Sequence, residues 1–266
     1  MNVRSWREFH KKVRAAGAPL LRSLGEVKSP ILVAGCQRSG TTLVTSLISE
    51  HTQVTPLPAH RDMELQAALC LAGIQPVSFG EERYCFQTTY LNERVGEYSA
   101  CKPDVRVVWV VRDPLAVVRS MCYHWGSRRE LIPFALNELF ESVGGEFLGS
   151  RYRRRFERFG VFAIPRLERA ICAYIGKSRQ LFEVEQVLGD RLLVVDYDDL
   201  IRAPQTVMTR MFEFLDLQVV QSEWPNIRGG SVDAWASDLS EAEVAIINQR
   251  CRETYYECRE RLTVRL

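Results

Sequence analysis

Apolar positions along the chain fall into short unbroken runs separated by stretches with helical spacing. Ile31–Ala34 is four apolar residues in a row, the pattern of a strand buried on both faces. Val105–Val111, VRVVWVV, reads as a second such strand, and Leu192–Val195, after a turn at Gly189–Asp190, as a third. Weaker strand candidates are Val54–Leu57, stopped by Pro56 and Pro58, and Tyr84–Thr88. Between the strands the period changes. Residues 43, 44, 47 and 48 are apolar after Thr41–Thr42, which predicts a helix opening at Thr41. Residues 1–28 read as a basic helix on the sheet edge, 59–73 as a helix ending at Gly73, and 92–100 as a short helical piece. Asp113 can cap a helix whose first turn holds Pro114 and which runs through Ser120 towards Trp125. Residues 127–185 are mostly helical, broken near Gly144–Gly145, Gly160 and Pro165. Pro204 opens another helix, 218–239 is a loop, and Ser240 with Glu243 forms a capping box for a C-terminal helix.

Strands alternating with helices predict an α/β fold: a three-layer, P-loop-type domain with a mostly parallel central sheet and helices on both faces. At 266 residues the chain suits a single domain, 1–266, with 1–28 as its N-terminal helix and 127–185 as a mostly helical region beside the site. Ligands of such sheets bind at the carboxyl ends of the strands.

Composition adds exclusions more than assignments. The chain is 46% apolar and 26% charged, ordinary for a globular protein; its net charge of +2 excludes nothing by itself, and no nucleic-acid partner is expected. Eight cysteines include no CxxC pair, so no zinc site is expected. The N-terminus, MNVRSWREFHKKVR, has no apolar core of a secretory signal, and no run is long enough for a membrane span. Reduced thiols in a cytoplasmic protein are the expectation. Thirty of the 35 basic residues are Arg, whose forked guanidinium suits oxyanions, although base composition accounts for such a bias too. Five of them crowd into RYRRRFER, 151–158, which reads as a solvated helix face or as a surface for an acidic substrate.

The stretch Ile31–Ser49 carries the chemistry. A strand, a turn bracketed by Gly35 and Gly40, and a helix N-terminus make a cradle for an anion: backbone N–H groups converge there and the helix dipole favours negative charge. The glycine spacing is that of a Walker A loop, but Thr41 stands where the lysine belongs and the positive charge is inside the loop, at Arg38. A phosphate-like anion therefore suits the loop better than a nucleoside triphosphate. The plain alternative is an ordinary strand-to-helix turn. A second strand end adds Arg112 just before a helix, with Ser120 further along it.

These segments together resemble the sulfotransferase family, which uses 3′-phosphoadenosine 5′-phosphosulfate (PAPS) as donor. Gln37–Leu43 resembles the family's 5′-phosphosulfate loop in its Arg-containing variant, which implies that Arg38, Ser39, Gly40, Thr41 and Thr42 bind the donor. Val110–Pro114 through Arg119–Ser120 is similar to the 3′-phosphate motif, with Arg112 and Ser120 as its grips. Val195–Leu200 resembles the segment whose tyrosine, here Tyr197, lies beside the adenine, and Arg228 in 228–235 matches the basic contact of the closing loop. The resemblance covers about residues 30–258 in the family's order. It implies a sulfuryl acceptor bearing a hydroxyl (small molecule, carbohydrate or peptide) and requires no metal.

The sequence departs from the family at the catalytic positions. Relatives with the Arg loop carry a glutamate after the first helix, where counting here reaches Pro58, Ala59 or His60. Gln87 stands where a lysine belongs, no histidine follows it, and Ala173 or Tyr174 replaces a tryptophan. His60 is the expected base, with a pKa suited to neutral pH, and Asp62 and Glu64 are the carboxylate alternatives. His124 reads as an acceptor-pocket wall, and His10 and His51 as surface residues. A donor-binding protein with weak transfer and, less favoured, a P-loop kinase are the competing functions.

Overall fold

The computed structural model describes residues 3, 5–16, 20–57, 62–91, 97, 104–124, 132–219 and 238–262. Five parallel strands form one sheet: β1 Ile31–Gly35, β2 Val54–Thr55, β3 Arg83–Gln87, β4 Arg106–Val111 and β5 Leu192–Asp196, in the order β2-β3-β1-β4-β5. The most apolar strand, β1, is central, with Leu32 opposite Phe86 on one side and Val107 on the other. Parallel strands need crossover connections, and the intervening helices supply them.

Alternate side chains of the strands feed two cores. Leu32, Ala34, Phe86 and Trp109 face α1 (Trp6–Ala16), α3 (Met63–Leu71) and the long α7 (Arg166–Leu188). Ile31, Val33, Val108 and Val195 face α2 (Thr41–Ser49) and α9 (Pro204–Phe214). Three layers result, as the alternating pattern predicts. The basic α1 lies against the sheet through Phe9, which is fully buried and edge-on to Trp6 and Tyr90.

Several boundaries move. β2 covers only two residues, because Pro56 cannot continue a ladder. The helix expected over 59–73 starts at Met63, where Asp62 accepts the Leu65 N–H as an N-cap, and 58–61 lie outside the described residues. The helix beginning at Pro114 is short, α4 (Pro114–Arg119), and continues as one π-turn over Ser120–His124. Residues 132–163 are helical with breaks where expected: α5 Ile132–Leu139, α6 Ser150–Phe159, and short turns between and after them. The sequence reading passed over α8, Tyr197–Arg202, which Asp196 caps by accepting the N–H groups of Asp198 and Asp199. Ser240 and Glu243 form the anticipated capping box of α10 (Glu241–Arg259). The piece at 92–100 lies outside the described residues apart from Glu97, as do 220–237. No helix among the described residues is long and apolar enough to cross a membrane.

Candidate nucleotide site

The loop between β1 and α2 is shaped by two glycines that no other residue fits. Gly35 has φ +136, and a Cβ there would meet the Val110 carbonyl oxygen at 2.4 Å, so the loop leaves the sheet pressed against β4. Gly40, at φ +98, is the cap residue of α2, and its added Cβ would strike the Tyr197 ring at 2.1 Å. Ser39 is turned inward: its hydroxyl donates to the carbonyls of Cys36 and Val110, and its N–H to Cys36, which closes the turn. The first turn of α2 then presents N–H groups that have no partner within the helix.

Two arginines meet at this loop. Arg38, exposed and itself at a left-handed φ of +74, donates from Nε to the Ser120 hydroxyl at 2.9 Å. Arg112, at the end of β4, donates to the Arg38 carbonyl at 3.4 Å, and its guanidinium carbon stands 4.0 Å from the Tyr197 ring centroid. Tyr197 is therefore held close to both Gly40 and Arg112. Residues from positions 38, 40, 112, 120 and 197, on three strand ends, converge on one crevice at the carboxyl edge of the sheet, where an open α/β sheet binds ligands.

The family model described as sulfotransferase domain matches residues 28–223, which contain all these elements. This chain belongs to the sulfotransferase family. The comparison with curated proteins finds no match. Among solved structures, the enzyme resembles a sulfotransferase from Alicyclobacillus acidocaldarius at 13% identity and TM-score 0.55, covering 89% of this chain and 96% of that one. It also resembles mouse sulfotransferase SULT7A1 complexed with PAP, at 13% identity and TM-score 0.53, covering 91% and 93%. Retinol dehydratase in complex with androsterone and the inactive cofactor PAP follows at 13% and 0.50, covering 96% and 88%. At such identities the structures share the fold.

Second contacts explain how the sulfotransferase holds these side chains. Tyr174, which stands near the expected tryptophan position, is 2% exposed and donates its hydroxyl to the Arg112 carbonyl at 3.1 Å. Burial first of all holds its phenol far above the ordinary range, so it stays a donor. Asp113 caps α4 at the Leu115 N–H and accepts an ion pair from Arg252 of α10. The same helix brings Arg259 and Tyr255 to the buried Asp196.

Gln87, in the lysine position, is 6% exposed and clasps the start of α2. Its Nε2 donates to the Thr41 hydroxyl at 3.0 Å and to Thr42 at 3.2 Å, while its Oε1 lies 3.3 Å from Thr42 Oγ1. A neutral amide here orients two hydroxyls without adding charge. Two residues on, Thr89 donates its hydroxyl to Glu64 and accepts from the Lys177 ammonium at 2.9 Å through its carbonyl. Lys177 is 1% exposed and lies close enough to the loop to oppose, in part, the burial that pushes the Cys36 thiol up to about 12. The sequence does carry a signal for Lys177. It is the one lysine in 103–266, and it falls in the stripe Ala170, Tyr174, Leu181, Val184 that packs α7 inward.

The histidines divide. His51, expected at the surface, is 5% exposed; Nε2 contacts the Gln218 carbonyl at 2.7 Å, Nδ1 accepts from the Gln53 N–H, and the ring meets Phe212 edge-on. It closes the α2–β2 turn against α9. His10 pairs with Glu138 at 2.9 Å. His124 ends the π-turn after α4. His60 and Arg228 lie outside the described residues. Asp62 is committed to its cap and to the Trp6 indole N–H, whereas Glu64 is directed to Thr89 at the end of β3.

One acid at the site is held against its preference. Asp198 is 5% exposed, its Oδ1 has no hydrogen-bond partner among the described residues, and burial first, then the charge of Asp196, push its carboxyl from an ordinary 3.8 up to about 6, with Arg112 pulling the other way. A carboxyl raised in the folded form binds more protons there than in the unfolded chain, so its contribution to stability falls as pH rises from about 4 through about 6. Asp198→Asn is therefore expected to raise stability at pH 7.5 by about 2 kcal/mol, after allowance for partial solvent screening, and to change it little at pH 4. Urea denaturation at both pH values measures this, and equal shifts at both would show that the charge is not the cause.

Proposed function

We propose that this sulfotransferase moves a sulfuryl group from PAPS to a hydroxyl of an acceptor. The observation that carries the reading is the convergence of Arg38, Ser120 and Arg112 around the Gly40–Tyr197 contact: one crevice with two separated cationic groups, as a nucleotide bearing two anionic groups requires. The residues fit such a ligand. Gln37 Oε1 and Asp198 Oδ1 are buried acceptors with no donor among the described residues, open to the N–H and O–H groups of a nucleoside. PAP in the related structures supports the same choice.

In this reading PAPS supplies an activated sulfuryl group with an in-line leaving phosphate. Arg38, the α2 N–H groups and the hydroxyls of Thr41 and Thr42 stabilise the charge that develops on the 5′ side, where fixed dipoles contribute most. Gln87 holds those hydroxyls in register. Ser39 shapes the loop instead of offering its hydroxyl. Arg112 and Ser120 receive the 3′-phosphate, Tyr197 lies beside the base, and Arg228 is the basic phosphate contact of the closing loop. His60 takes the acceptor proton, and the helical stretch 127–185 lines the acceptor side of the single domain. Androsterone in a related structure supports a hydroxyl acceptor.

The test is a pair of titrations. Arg112→Ala is expected to weaken 3′-phosphoadenosine 5′-phosphate by about 10- to 150-fold, the loss of a charge-assisted contact of roughly 1.5–3 kcal/mol, and to leave adenosine 5′-phosphate nearly unchanged. Equal losses would show that Arg112 serves the fold. Tight binding of the 3′-phosphorylated nucleotide by the parent chain without transfer to a broad panel of alcohols, phenols and sugars would favour the donor-binding reading instead.

A further inference from the structure

None of the arginines of the Arg-rich helix α6 takes part in the contacts of the crevice described above. Its five arginines (151, 153, 154, 155 and 158) are all exposed, and among the described residues none of them has an ion pair. Against them stands one acid, Glu157, so the helix carries +4. The whole chain carries +2, which leaves the rest of it at −2 and makes α6 a basic face on an otherwise slightly acidic molecule.

An apolar row accompanies the charge. Tyr152, Phe156 and Phe159 fall at i, i+4 and i+7, on one side of the helix. The first two lean on a small core of Phe140, Leu148 and Val161, with Phe140 and Phe156 edge-to-face at 5.4 Å. The row then outruns that core. Phe159 is 63% exposed, and Phe162, in the turn after Gly160, is 77% exposed. These are the two most exposed large apolar side chains among the described residues. The Arg158 guanidinium carbon lies 5.1 Å from the centroid of the Phe159 ring, so charge and ring are adjacent on the surface.

We propose that α6 and the turn after it dock the enzyme on an anionic lipid surface, with Phe159 and Phe162 entering the headgroup–acyl boundary and the arginines meeting lipid phosphates. Charge complementarity and shape both favour this occupant. An acidic protein would need a pocket for two protruding rings, and a single-stranded nucleic acid is tracked by a groove. A bilayer interface takes protruding aromatics flanked by basic residues with no matching relief of its own. This docking is independent of sulfuryl transfer.

Vesicle co-sedimentation of the full chain tests it without any enzyme assay. The chain is expected to partition at least about 10²-fold more strongly onto vesicles with about 30 mol % phosphatidylglycerol than onto pure phosphatidylcholine, since each basic residue near an anionic surface contributes about fivefold. Reversing Arg151, Arg155 and Arg158 to Glu should remove that preference. Phe159→Ser with Phe162→Ser, both exposed and so harmless to the fold, should weaken binding by about 10-fold or more at constant charge. Three results overturn the proposal: no preference for the anionic vesicles, Phe variants that bind as tightly as the parent, or displacement from the vesicles by a single-stranded oligonucleotide or polyglutamate at equal charge concentration.

Discussion

Arg38→Ala is expected to lower sulfuryl turnover by about 10²–10³-fold, the scale seen when one preorganised donor to a developing negative charge is removed. Arg38 is the only charged side chain between Gly35 and Thr42. Without it the leaving phosphate meets amides and hydroxyls alone. The backbone at 38 is left-handed, at φ +74, and alanine bears the same Cβ, so the substitution neither relieves nor adds to that strain. Arg38→Lys keeps the charge but loses the Nε that donates to Ser120 and the rigid fork, and it should recover only part of the rate. Turnover with a saturating donor, beside a melting curve for each variant, checks this. Full activity in the alanine variant would remove Arg38 from the chemistry.

The second large effect concerns the proton. His60→Ala is expected to cut turnover by about 10²–10⁴-fold with nucleotide affinity nearly unchanged, as for a lost general base. The structure sharpens the controls. Asp62→Asn should be quiet, because asparagine caps a helix as well as aspartate and can still accept from Trp6. Glu64→Gln is the informative rival, since Thr89 directs the Glu64 carboxylate to the end of β3, next to the Gln87 clasp. Loss of turnover in Glu64→Gln with normal activity in His60→Ala would transfer the base to Glu64. Calorimetry with 3′-phosphoadenosine 5′-phosphate separates either result from loss of donor binding.

The parts of the fold that were legible in the sequence are those written in local periodicity. β1, β4 and β5 read as strands because their apolar runs serve two cores at once, and the loop from Gly35 to Gly40 read as a tight strand-to-helix connection because glycine spacing and a following helix are contiguous. Asp113–Pro114 and Ser240–Glu243 were readable for the same reason: a cap and its helix lie within four residues. What could not be read depends on distant partners. Thr89 meets Glu64 25 residues away and Lys177 88 away, and neither pairing leaves a local pattern. His51 looked like a surface residue because its partners, Gln218 and Phe212, come from the far end of α9. The Arg38–Ser120 bond joins two segments that read as separate phosphate grips, and only the packing of β1 beside β4 brings them within reach.

The last helix has a consequence for how the enzyme is made. α10 supplies Arg252 to Asp113 and both Arg259 and Tyr255 to Asp196, which is 2% exposed at the end of β5. Ribosomal synthesis delivers residues in order, and all three follow the end of β5 by more than fifty residues. A nascent chain can therefore pair all five strands while two carboxylates at the carboxyl edge of the sheet still await their cations, and that edge is completed only after α10 has emerged.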